Sequence, residues 1–155
     1  MSADQRIRTA RAFWLDEQAT DDQIQAVMLI SQHKKFRPKT VIGLDVDRKA
    51  RHLASLTRLP DAMVVRIIVV YHLAEERPMM GAFLDALGIK HENGLIEDES
   101  TKPDPSKLPA AVAQITGQFP PDHVSLYLST LMCQDPETWG GLSAVISNQE
   151  FGTGN

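Results

Sequence analysis

The chain has 155 residues, 43% of them hydrophobic and 23% charged, with a formal net charge of −4. That length buries a core without disulfide or metal staples, so a single helical domain is expected over residues 1–147, with a mobile tail over 148–155. The lone Cys133 excludes an internal disulfide, residues 2–6 lack the apolar core of a signal peptide, and the longest apolar run, residues 62–74, is too short to span a bilayer. A cytoplasmic protein that stays off the membrane is the expectation.

The predicted elements are helical from end to end. Residues 4–16 form a first helix with Ile7, Ala10 and Trp14 on one face. Residues 20–23, Thr-Asp-Asp-Gln, have the pattern of a capping box. They open a helix that ends near Lys35 and turns Ile24, Val27, Met28 and Ser31 inward. Residues 40–44 are either a short extended segment or a helical turn. Asp45 or Asp47 then caps a basic helix.

Pro60 and Asp61 start a helix running to residue 76 that is too apolar to lie on a surface. Its β-branched stretch, residues 63–71, leaves a buried strand as the alternative. Pro78 opens a helix with Met80, Phe83, Leu84 and Leu87 on one face, and Gly88-Ile89 fits a left-handed C-terminal cap. Residues 90–105 read as a long polar loop. Three helices follow, opened by Ser106, Pro121-Asp122 and Pro136-Glu137, the last ending near Ser147. The expected fold is therefore all-α, a bundle of about seven helices around the apolar helix 61–76.

Charge is unevenly spread along this chain. Residues 33–58 carry eight Lys or Arg against two acids, whereas residues 75–155 carry twelve acids against four Lys or Arg. Lys34, Lys35, Arg37, Lys39, Arg48, Lys49 and Arg51 are the candidate contacts for an anion or a nucleic acid, with Phe36 available for stacking. The competing reading is that the two halves neutralise each other within a monomer or across a dimer.

Leu53, Ala54, Leu59, Val64 and Ile67 or Ile68, within residues 50–68, resemble the apolar skeleton of a bacterial helix-turn-helix. That resemblance implies a DNA-reading second helix. Two features depart from it. Arg58 stands where the family prefers glycine, and of the outward positions Asp61, Ala62, Val65 and Arg66 only Arg66 suits base readout. Residues 41–47, Val-Ile-Gly-Leu-Asp-Val-Asp, resemble the nucleophile strand of haloacid-dehalogenase-type phosphotransferases. The resemblance implies Asp45 as nucleophile and Asp47 as acid–base. Arg48 and Lys49 depart from that pattern, and two competing helix caps explain the same aspartates.

Arg66 stands among Val64, Val65, Ile67 and Ile68, so a buried guanidinium held by a carboxylate, Asp85 or Asp122, is expected, or else a ligand anchor. His72 and Glu76, four residues apart, could share a helical face as a metal pair or as a structural pair. No catalytic residue, metal site or cofactor is assigned. The expected function is a non-catalytic helical module that docks another protein or a second copy of itself. Nucleic-acid binding through residues 33–58 is the alternative. A helical small-ligand binder or enzyme using Arg66 and His72 is the third.

Overall fold

The first turn of a helix has amide groups with no acceptor inside the helix, so proline is tolerated there. This chain uses that rule repeatedly: Pro38, Pro78, Pro109, Pro121 and Pro136 each occupy the first or second position of a helix. The structure is a computed structural model describing residues 1–98 and 100–152. It is all-α, with ten α-helices, one 3-10 turn and one two-stranded hairpin among the described residues. The helix count exceeds the expected seven or so because of short turns at residues 38–42 and 136–139. No helix among the described residues is long and apolar enough to cross a membrane. Backbone contacts gather into two units, Met1–Glu75 and Glu76–Asn155.

Unit 1 contains α1 (Ala3–Leu15), α2 (Thr20–Lys34), α3 (Pro38–Ile42), α4 (Val46–Ser55) and α5 (Asp61–Glu75). Helix α1 is the platform on which both α4 and α5 pack. Phe13, Ile30, Val41, Ala50, Leu53, Met63 and Ile67 meet in one buried cluster. The capping box forms at Ser2 and Gln5, which opens α1. The expected box at Thr20 does not form. Thr20 is already helical, and Gln23 instead donates its amide to the carbonyls of Phe13 and Asp16, tying α2 to the end of α1.

Asp45 caps α4 by accepting from the Arg48 amide, and residues 38–42 are helical. The segment resembling a phosphotransferase strand is therefore a helix and a cap, and that resemblance falls. Residues 63–71 are helical throughout, so the strand alternative falls as well. Along α5, Met63, Ile67, Val70, Tyr71 and His72 are buried.

Unit 2 contains α6 (Arg77–Ala86), β1 (His91–Glu92), β2 (Leu95–Ile96), the 3-10 turn (Pro105–Lys107), α7 (Leu108–Gln118), α8 (Pro121–Gln134), α9 (Pro136–Trp139) and α10 (Leu142–Gly152). Gly88 ends α6 at φ +71, and the Ile89 amide reaches back to the Leu84 carbonyl, the Schellman arrangement expected there. Asp104, not Ser106, caps the turn that leads into α7. The Ser106 hydroxyl and amide both donate to its carboxylate, which holds the Asp104 carboxyl below the usual carboxylate range.

The expected loop at residues 90–105 holds an antiparallel hairpin turned by Asn93-Gly94, both at positive φ. Asparagine followed by glycine is the strongest short hairpin signal, because both central residues of a type I′ turn need that conformation. Residues 148–152, expected as mobile tail, continue α10. Glu99 of the expected loop and residues 153–155 of the expected tail lie outside the described residues.

The hairpin rests on α6. The Gly94 amide donates to His91 Nδ1, so the ring's Nε2 carries the proton that it shares with Asp85 at 2.7 Å. Gly94 has φ +90, and a Cβ there would meet Met80 Cβ at 2.9 Å and the Arg77 carbonyl at 3.2 Å. Gly94→Ala should therefore cost about 1–3 kcal/mol, from left-handed strain plus overpacking against α6. Urea unfolding followed by circular dichroism measures that loss.

Candidate docking surface

Two apolar stripes run along α2. The first, Ala26, Val27, Ile30 and Ser31, is buried against the rest of unit 1. The second, one position further round, is Ile24 and Met28. Sequence periodicity turns Ile24, Val27, Met28 and Ser31 inward, but Ile24 is 58% exposed and Met28 46%. On α3, Ile42 is 62% exposed beside them, while Val41 takes the buried place. These three aliphatic side chains, with Trp14, Pro38 and Lys49, line a groove of about 290 Å³ on unit 1.

The floor of the groove is polarised. Lys49 Nζ lies 5.2 Å from the centre of the Trp14 ring, within cation–π range. The indole N–H of Trp14 is buried and has no hydrogen-bond partner among the described residues. Phe13 packs edge-on against the same ring and fixes it from the core side. Of the basic candidates, Lys49 is thus drawn into this groove.

The remaining basic candidates lie at the end of α2, on α3 and on α4. Arg48 lies 3.6 Å from its own cap, Asp45, and Arg11 takes Asp47 at 3.1 Å. Lys34, Lys35, Arg37, Lys39 and Arg51 are exposed, and no ion pair holds them within unit 1 among the described residues. Phe36 stacks edge-on against His52 with ring centres 5.4 Å apart, which brings the basic run at 34–39 beside the basic run on α4. Unit 1 carries twelve Lys or Arg against nine Asp or Glu, a net +3.

Arg66 is corrected by the structure. Its side chain is 60% exposed, and its partner is Asp22 of α2 at 3.0 Å, not a carboxylate of the acidic half. The guanidinium leaves the apolar face because α5 packs on α1 through Met63, Ile67 and Val70, and residue 66 points away from them. His72 is buried, with Nδ1 2.8 Å from the Ile68 carbonyl. Arg66 and His72, six residues apart on one helix, are rotated about 120° from each other and do not converge. Glu76 lies 2.7 Å from His123 of α8 in a buried pair. No cluster of three metal-ligating side chains exists among the described residues.

The resemblance to a helix-turn-helix meets a cleft. Helices α4 and α5 lean chiefly on α1, and between them lies an apolar cleft of about 400 Å³ that neither Arg66 nor His72 lines. Comparison with protein-family models, with curated protein sequences and with solved structures finds no match to this chain.

Proposed function

We propose that this chain is a non-catalytic binding module that docks another protein through the groove on unit 1. The observation that carries this reading is the exposure of Ile24, Met28 and Ile42 around one concave surface. One exposed aliphatic needs no explanation, but three around a groove mark a surface that gains by being covered. Lys49 at its floor and Lys39 one turn from Ile42 give the groove a positive edge. An amphipathic helix with an aliphatic stripe and acidic flanks is the complementary shape. A reducing, cytoplasmic setting suits the exposed free thiol of Cys133.

The test is a fluorescence anisotropy titration with a labelled helical peptide bearing a leucine stripe and a glutamate face. Wild-type protein should bind it, and Ile24→Ser with Ile42→Ser should weaken binding at least about tenfold, the cost of losing two buried aliphatic contacts. Equal binding by the two proteins would overturn the reading.

The Phe36–His52 contact favours nucleic acid as the second reading, because it gathers two basic runs around one exposed aromatic. Any such affinity should be sequence-independent and fall steeply with salt, since phosphate contacts carry no base information. Replacing Lys34, Lys35 and Arg37 with Gln should abolish binding of mixed-sequence RNA, as read by the same titration. A sequence-selective complex that survives moderate salt would contradict this.

A further inference from the structure

We infer that the occupant of the α2 face is a second copy of this chain, docked with its own α2 antiparallel across a two-fold axis near Met28. The inference rests on the docking reading above and names its partner.

Helix α2 is ordered by charge along its length. Its first turn carries Asp21 and Asp22, its exposed middle carries Ile24 and Met28, and its last turn carries His33 and Lys34, with Lys35 as the cap. Asp22 is engaged by Arg66. Asp21 and Lys35 are exposed, and within unit 1 no ion pair holds either of them among the described residues. Asp21, Met28 and Lys35 are spaced seven residues apart. A seven-residue step drifts only about 20° around a helix, so Asp21 and Met28 share one exposed line, and the Cα of Lys35, the left-handed cap at φ 58, continues the last turn of that line, from which its long side chain reaches out.

A line that reads acid, apolar, base is complementary to itself when reversed. A two-fold axis at Met28 sets each Asp21 opposite the other copy's Lys35, about 10 Å along the helix on either side of a Met28–Met28 contact. Antiparallel helix dipoles add to the same preference. In a parallel arrangement Asp21 would face Asp21 and Lys35 would face Lys35. Ile24 and Ile42 flank the axis and give the contact its apolar area. One helix face with a short neighbour makes a contact below the size of a standard stable interface, so the dimer should be weak and dependent on concentration.

The experiment is sedimentation equilibrium on the full chain over a concentration series. Wild type should move from the mass of one chain towards two as concentration rises. Asp21→Lys alone and Lys35→Asp alone should each weaken association about tenfold, because both pairs turn from attractive to repulsive. An equimolar mixture of those two variants should recover wild-type association, since every pair across the axis is then again of opposite sign. Both substitutions sit at exposed positions, and circular dichroism confirms that the variants fold.

Wild type remaining monomeric throughout would overturn the inference, as would a mixture that fails to recover. A monomer that still binds the leucine–glutamate peptide at the groove would overturn the second copy as occupant while leaving the docking reading in place. A monomer that does not bind it would remove both.

Discussion

Ile67→Asp should be the most damaging single substitution in unit 1, at about 3–5 kcal/mol. Ile67 is 5% exposed on the α5 face that meets α1, within the cluster that also holds Ala10, Leu53 and Met63. The change removes an aliphatic contact and places a carboxylate within an apolar cluster. Such a loss takes a large share of the stability of a domain this size. Denaturant unfolding would read it as a lower midpoint with little change in slope. Val69, only half-buried on the same helix, should tolerate the same charge better. That comparison separates burial of one helical face from burial of the whole helix.

Phe83→Ala should be the corresponding loss in unit 2, again about 3–5 kcal/mol. Phe83 is fully buried on α6. Its ring centre lies 5.7 Å from Tyr127 of α8 and 5.9 Å from Trp139 of α9, so one side chain joins three helices. Burial also pushes the Tyr127 hydroxyl above its usual range. Near-ultraviolet circular dichroism, which reports fixed aromatic packing, should lose intensity in this variant before helix content falls. A variant with wild-type midpoint and wild-type aromatic signal would show that the ring is not part of the core.

The fold was readable where local chemistry decides alone. Proline at the first helical positions and Gly88 as a left-handed stop are each set by a few neighbouring atoms and stand as expected, and of the two expected caps, Asp45 and Asp47, the structure takes Asp45. Competition between neighbours was harder to read. Thr20 and Gln23 have a capping pattern, yet the Gln23 amide finds three carbonyls at the end of α1, a stronger arrangement than one cap bond. Asn93-Gly94 was a legible turn signal, obscured by the surrounding polar residues that made the segment resemble a plain loop.

The candidate site was the least legible part, for a physical reason. Helical spacing groups Ile24 with Val27 and Met28 but does not say how wide a stripe the core can take. Unit 1 buries Val27 and Ile30 and leaves Ile24 and Met28 outside. The useful signal was that α2 has more apolar faces than one neighbour can cover. Arg66 misled in the opposite sense. Its flanking residues are apolar, but a helix turns each residue about 100° from the last, so apolar neighbours in sequence do not make a buried residue.

The most direct test of the account is methyl-resolved NMR of the full chain over a dilution series, following Ile24, Met28 and Ile42 together with the Trp14 indole. The account predicts that these groove signals move together as concentration rises, while the amide of Arg51 on α4 stays in place. Groove signals that hold still while residues around Phe36 and His52 respond to added RNA would contradict it.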